Sequence, residues 1–252
     1  MRQRRIKDLD EKLDALGYLL ADDPEGMRGR WREAFVRGRG DDAERGDLAE
    51  FKNESGCEGD AWHQSEIGAG REGLFLEIGC GKGTFITAMA ESEPKSLFIG
   101  AEGNRSVILR SLEKTAEGQF GNILFIADYI SRLTDIFADG ELDGIFLNFS
   151  DPWPKARHAK RRLTHPSYLA EYSQVLNGGG FVRFKTDNSV LFEWSLEQAE
   201  KNADALGFDI AAVTRDLEHS PYFAGSPASE YEEKFSGAGI NINYFELIKK
   251  GH

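Results

Sequence analysis

Leu74-Phe75-Leu76-Glu77-Ile78-Gly79-Cys80-Gly81-Lys82-Gly83-Thr84 is the stretch that decides the fold. An apolar run of strand length ends in three alternating glycines, and a helix-forming pattern follows from Thr84. Glycine lets the backbone turn sharply and approach a ligand closely. A phosphate-cradling P-loop needs Gly-Lys followed directly by Ser or Thr, whereas here Lys82 precedes Gly83. A dinucleotide fingerprint needs G-x-G-x-x-G, whereas this spacing is G-x-G-x-G with Glu77 two residues ahead of the first glycine. A carboxylate at that point repels a pyrophosphate and suits a cationic ligand. A plain Gly-rich turn and a nucleotide site are the competing readings.

Outward from this loop, strands and helices alternate. Leu74–Ile78, Leu97–Ala101, Ile123–Ala127, Gly144–Phe149, Phe181–Lys185, Asp209–Thr214 and Asn241–Ile248 read as strands. Thr84–Glu91, Asn104–Ala116, Ile130–Phe137, Pro166–Leu176 and Asn188–Leu206 read as helices, the fourth stopped by Asn177-Gly178-Gly179-Gly180. Seven strands alternating with helices predict an α/β fold with a doubly wound, mostly parallel sheet. Such sheets bind ligands at the carboxyl ends of their strands. Upstream, Leu9, Leu13, Leu16 and Leu20 stand at helical spacing and predict one amphipathic helix over 8–20. The expected organisation is an N-terminal extension at 1–37, an acidic insertion at 38–71 that reads as exposed and mobile, and a main domain at 72–252.

The chain of 252 residues is long enough to bury a core, and its net charge is −12. Taken whole, that charge opposes nucleic-acid binding. The charge is unevenly spread, however. Asp41–Asp60 holds eight acids and two bases, a local −6, which is half of the total. Lys155–Arg162 carries five full positive charges in eight residues, and Arg28–Arg39 has five arginines against one acid. The pattern is an acidic protein with basic patches. No apolar run approaches the 18 residues of a membrane span, and the basic Met1–Lys7 is followed by acids rather than an apolar signal core. Two cysteines, Cys57 and Cys80, make neither a disulfide framework nor a zinc set, and the five histidines show no metal spacing. Cys80 reads as a small packing residue. A cytoplasmic, reducing setting and no metal are expected.

Further acids sit at the ends of the next two strands. Glu102 stands 19 residues after Gly83, where a carboxylate can accept both hydroxyls of a ribose. Asp128 ends the third strand and can accept from an adenine amino group. With Glu77, three acids then fall on the ligand-binding edge at successive strand ends. The pattern E-x-G-x-G-x-G resembles the first motif of class I S-adenosylmethionine-dependent methyltransferases.

After the fourth strand comes Leu147-Asn148-Phe149-Ser150-Asp151-Pro152-Trp153-Pro154-Lys155, then Ala156-Arg157-His158-Ala159-Lys160-Arg161-Arg162-Leu163-Thr164. This long string closely resembles the tRNA (guanine-N7-)-methyltransferase family in its bacterial single-chain form. Phe184–Asn188, Ser229–Phe235 and Gly29–Phe35 resemble further motifs of that family. The resemblance covers roughly 1–37 and 72–248. It implies methyl transfer from S-adenosylmethionine to N7 of guanosine 46 in the tRNA variable loop. Carried over by motif, Glu77, Gly79, Gly81, Gly83, Glu102, Asp128 and Asp151 would hold the cofactor, with Asp151 as the active-site residue. Lys155, Asp187, Ser229, Glu230, Tyr231 and Glu232 would contact substrate. Arg157, His158, Lys160, Arg161 and Arg162 would contact RNA. The last motif usually opens with Thr; Ser229 keeps the hydroxyl.

Trp153, between two prolines, is either a stacking platform for a base or a residue packed under the sheet edge. Two other functional readings stand beside the leading one: a class I methyltransferase acting on another RNA or an exocyclic amine, and a noncatalytic RNA-binding module. The exocyclic-amine enzymes usually carry N-P-P-aromatic where this chain has Ser150-Asp151-Pro152-Trp153. A noncatalytic module would be expected to lose the glycines or acids, and all are present. The tRNA is the expected partner, with no membrane and no obligate protein partner, and the chain is expected to act as a monomer or homodimer.

Overall fold

The computed structural model describes residues 6–37, 73–222 and 241–251. The expected insertion at 38–71 and the Ser229–Glu232 segment lie outside the described residues. The strands are β1 (Leu74–Ile78), β2 (Leu97–Ala101), β3 (Ile123–Ile126), β4 (Leu142–Asn148), β5 (Leu176–Thr186), β6 (Phe208–Thr214) and β7 (Asn243–Lys249). They form one sheet in the order β3-β2-β1-β4-β5-β7-β6. β7 runs antiparallel to both its neighbours, and the other described pairings are parallel. The helices are α1 (Leu9–Ala15), α2 (Trp31–Arg37), α3 (Thr84–Ser92), α4 (Arg105–Glu117), α5 (Leu133–Ile136), α6 (Pro166–Val175) and α7 (Ser189–Asn202).

Alternation along the strands sorts the core into two layers. Leu74, Leu76 and Ile78 of β1 join Ile99, Ile145, Leu147, Val182, Phe184, Phe245 and Leu247 beneath α6 and α7. Phe75, Phe98, Phe125, Phe146 and Phe181 join Phe85, Met89, Ile108 and Leu112 on the opposite face, which carries α3 and α4. Phe75 stacks between Phe98 and Phe181 at 5.5 and 5.8 Å. A parallel sheet covered on both faces needs apolar residues at nearly every position, which is why β1 and β4 read as continuous apolar runs. Helix starts follow their caps: the side chain of Asn104 accepts from the Ser106 and Val107 N–H groups, and that of Asn188 from Leu191 N–H.

Three expectations need correction. The single helix over 8–20 breaks at Gly17 into α1 and a 3₁₀ turn, Gly17–Leu19. Leu20 then pairs with Phe125, and Ala21 N–H donates to Phe125 O at 2.8 Å, adding a short strand-like stretch to the β3 edge. The helix expected over 130–137 shrinks to Leu133–Ile136, where Glu171 Oε2 accepts from Leu133 N–H at 2.5 Å. Asn177–Gly180 do not simply stop α6; β5 already begins at Leu176, and the glycines bulge from it. Leu142 pairs with Leu176 and Gly144 with Phe181, so four residues of β5 are looped out opposite Asp143.

The N-terminal residues are built into the domain. Trp31 is fully buried, stacks on Phe137 at 5.4 Å, and donates its indole N–H to Ile136 O at 3.0 Å. The Glu141 carboxylate accepts from Gly29, Trp31 and Ala138 N–H groups. Asp143 accepts from Arg32, from Leu74 N–H and from Asn177, pinning α2, β1 and the β5 bulge at the amino end of the sheet. Arg28 donates to Thr134 O and Arg30 to Gly26 O, so three arginines of the first basic stretch serve folding contacts.

Candidate functional site

The chain order of the sheet reverses between β1 and β4. That crevice, at the carboxyl ends of the strands, is where an open α/β sheet binds ligands. Two loops meet there: 79–83 after β1 and 149–155 after β4.

In the first loop, Gly79, Gly81 and Gly83 have φ of +78°, +58° and +77°. L-residues with a Cβ avoid this left-handed region. A Cβ on Gly79 or Gly81 would meet nothing within 4 Å among the described residues, so these two glycines border space that those residues leave open. A Cβ on Gly83 would instead lie 2.9 Å from the Ser111 Cβ of α4. Ser111 Oγ donates to Gly81 O at 2.7 Å, tying the loop to that helix. Gly79 and Cys80 N–H groups both donate to Ala101 O of β2. Two glycines thus shape a cradle, and the third lets α3 and α4 close behind it.

Acids ring the cradle. Glu77 is buried, and its Oε1 accepts from Asn148 Nδ2 at 2.9 Å across the β1–β4 seam. Asn148 Oδ1 is buried without a hydrogen-bond partner among the described residues. Glu102 is half-buried and accepts from Asn104 N–H at 2.8 Å. Burial raises its carboxyl above the usual range, with the Asp151 charge adding to the rise and the Asn104 and Gly81 N–H groups opposing it. The structure therefore brings Glu102, Gly81 and Asp151, from three separate motifs, into one electrostatic neighbourhood. Burial, then the charges of Glu77 and Glu102, push the Cys80 thiol well up, as suits a packing residue rather than a nucleophile. Asp128 is exposed at the β3 end, where its Oδ1 accepts from Tyr129 N–H at 2.7 Å. The Tyr129 ring lies directly over Gly103, the residue after Glu102.

The second loop holds its shape without glycine. Phe149 and Trp153 carry φ of +51° and +40°. Backbone strain of this kind persists only where the surroundings enforce it. Phe149 N–H donates to Lys185 O at 2.9 Å, anchoring the loop's start. At its far end Arg162 Nε and Nη2 donate to the carbonyls of Pro152 and Trp153, each at 3.1 Å. Trp153 packs edge-on to His158 at 5.8 Å and lies beneath the Arg161 guanidinium at 4.7 Å. Its ring thus faces the basic run, a placement different from packing under the sheet edge. That run folds as a 3₁₀ helix, Ala156–Arg161.

Lys155, Arg157, Lys160 and Arg161 are exposed and His158 half-exposed, all within ten residues of Asp151 along the chain. Arg162 stands apart from them. It is 7% exposed, and its guanidinium is engaged by two carbonyls and by the face of Trp194 at 4.3 Å. This placement does not suit the phosphate contact expected for it. Asp187 follows β5 and is half-buried just ahead of the Asn188 cap of α7. Sequence reasoning passed over Asn148, Trp194 and Lys185. A polar Asn148 ending an apolar strand was a usable signal, as was the buried Lys185, paired in register with both Asn148 and Tyr244.

Residues 71–244 match a family model described as "Putative methyltransferase". A tRNA (guanine-N(7)-)-methyltransferase of Lachnoclostridium phytofermentans is 47% identical over 182 residues, covering 72% of this chain and 82% of the relative. One from Geobacillus thermodenitrificans is 38% identical over 249 residues, covering 99% of this chain and 98% of the relative. The chain belongs to the tRNA (guanine-N7-)-methyltransferase family. A solved structure of an antibiotic-related methyltransferase superposes with a TM-score of 0.50 at 18% identity, over 70% of this chain and 86% of that one, which supports the fold. As a family member the chain is an enzyme whose methyl donor is S-adenosylmethionine. The site fits that molecule. The open Gly79–Gly81 cradle, the buried Glu77 and the unused acceptor on Asn148 suit a cationic amino-acid moiety, and the Glu102 carboxylate suits a ribose.

Proposed function

We propose that this chain methylates N7 of guanosine 46 in the variable loop of tRNA. The observation that carries the reading is the loop of Asp151, which starts at the carboxyl end of β4 next to the glycine cradle and runs directly into the exposed basic residues, within a chain of this family. When bound, S-adenosylmethionine supplies an electrophilic sulfonium methyl, and guanine N7 offers a lone pair with no proton to remove. The protein's task is therefore positioning and electrostatics rather than base catalysis. Gly79, Gly81 and Glu77 hold the amino-acid end of the cofactor, Glu102 its ribose, and Asp128 its adenine. Asp151 and Asp187 accept from the guanine N–H edge and stabilise the positive charge that N7 acquires. Lys155, Arg157, His158, Lys160 and Arg161 take tRNA phosphates, and Ser229–Glu232 complete the substrate site. A stacked guanine hides part of its surface, so the base is flipped or presented by a flexed loop.

No helix among the described residues is long and apolar enough to cross a membrane, and tRNA as substrate supports a cytoplasmic setting. The test is methyl transfer from labelled S-adenosylmethionine to unmodified tRNA, with the nucleoside product identified by mass spectrometry. 7-Methylguanosine that disappears with a position-46 variant tRNA is the expected result. Product that survives that change refutes the site assignment, and a kcat that falls as pH is lowered through a pKa near neutrality refutes chemistry without a base. Exchanging Lys160 for Ala should flatten the slope of log affinity against log salt by roughly 0.7–0.9.

A further inference from the structure

The geometry points to Arg162 as a positioning residue that fixes the Asp151 loop against α7, rather than as a contact for RNA. This inference rests on the methyltransferase reading of the site. Four observations carry it. Arg162 is buried at the end of a run whose other cations face solvent. Its Nε and Nη2 donate to the carbonyls of consecutive residues, Pro152 and Trp153, which directly follow Asp151. One of those residues, Trp153, holds a positive φ that its own side chain disfavours. The guanidinium plane lies on Trp194 of α7, the helix whose N-terminal cap immediately follows Asp187.

Guanidinium geometry explains why this must be Arg. A planar fork can donate to two carbonyls and present its face to an aromatic ring at once, whereas an ammonium is a point donor. The loop and α7 each bring an acid toward the substrate, and Arg162 with Trp194 sets the spacing between them. His165 stacks on the same indole at 6.4 Å, and a buried Thr164–Ser195 hydroxyl pair at 2.6 Å locks the adjoining turn to α7. The neighbouring Arg161 covers Trp153 from the exposed side. Adjacent arginines thus divide the labour: one faces the nucleic acid, the other holds the loop.

The experiment compares full-length R162K, R162A, R161A, W194F and W194L by steady-state methylation of tRNA, salt-dependent tRNA binding, cofactor binding and near-UV circular dichroism. For R162K the expected result is a kcat about 10–100-fold lower, since a small misplacement of reacting groups has costs of that size. Its KM for tRNA, its salt slope and its cofactor affinity should stay within about threefold of the parent. R161A should show the opposite split, with a shallower slope and a raised KM. W194F should retain most activity by keeping an aromatic face, and W194L should resemble R162K. An R162K protein with parental kcat would overturn the proposal, and so would an R162A protein whose kcat holds while its salt slope falls by one phosphate, a loss that the charge-conserving Lys would hide. If R162K does not fold, W194L decides by the same kcat-against-KM split, and unfolding of both reduces the role to stability alone. If the parent protein makes no 7-methylguanosine, the substrate reading falls. The anchoring is then judged separately by the tryptophan circular dichroism of R162K, which must change for the proposal to stand.

Discussion

The loops after β1 and β4 lie side by side at the switch point and reach unusual backbone shapes by opposite means. The first takes all its positive φ angles at glycine, so its conformation is written within its own residues. The second takes them at Phe149 and Trp153 and is restrained by Arg162 and by the β5 carbonyl of Lys185. One shape is local and inexpensive, whereas the other is imposed from outside and keeps its strain only while the restraint lasts. The difference suits the tasks proposed for them. A cofactor cradle must offer bare backbone to its ligand, whereas a catalytic loop must present a particular side chain.

The largest expected effect falls on the second loop. Exchanging Asp151 for Asn keeps the shape and removes the charge, and kcat/KM for tRNA should fall roughly 10²–10³-fold, in line with losing one preorganised electrostatic group. Near-parental activity would mean that Asp187 alone carries the guanine contact. In the first loop, exchanging Gly83 for Ala combines a disfavoured φ with a 2.9 Å approach to Ser111. Denaturant unfolding should register a loss of about 2–4 kcal/mol. Gly79 sharpens the comparison, because a Cβ there meets open space. Gly79→Ala should cost only about 1–2 kcal/mol of stability, while calorimetry shows cofactor affinity falling far more than that of R162K.

These cases also mark how far the sequence could be read. The glycine loop was legible because its signal is intrinsic: alternating glycines after an apolar strand, with Glu77 inside. The seven strands were legible for the same local reason, save that the glycine bulge of β5 hid its true start at Leu176. The second loop yielded to family resemblance and not to physics, since nothing in Pro152-Trp153-Pro154 announces a positive φ at Trp153. Arg162 reads like its neighbours because a run of cations looks uniform along the chain. Only the turn of the 3₁₀ helix and the presence of Trp194, thirty-two residues later, separate it from Arg161. Burial is a tertiary property, and charge patterning alone does not encode it.

The smallest expected effect concerns Glu102, where burial and, less, the charge of Asp151 raise the carboxyl. Because Glu102 is easier to protonate in the folded chain than at its ordinary value of 4.5, the native state binds the extra proton. Stability is therefore greatest below that value and declines as pH rises through the interval up to the raised one. Glu102→Gln removes this decline. The cofactor-free protein should melt slightly higher at neutral pH and lose its pH dependence across that interval, while binding S-adenosylmethionine more weakly. A lower melting temperature at neutral pH would show that the Gly81 and Asn104 N–H contacts outweigh the burial.

The pairing of Leu20 and Ala21 with Phe125 has a consequence for handling the protein. A bare β3 would end the sheet in a row of open donors and acceptors, the usual template for unwanted strand addition between molecules. The N-terminal residues act as a selvedge, the finished border that keeps woven cloth from unravelling. A chain trimmed of residues 1–22 keeps both loops and the buried Trp31 and loses that border. It should emerge from expression as an aggregating enzyme rather than an inactive one, a distinction that light scattering beside an activity assay would draw at once.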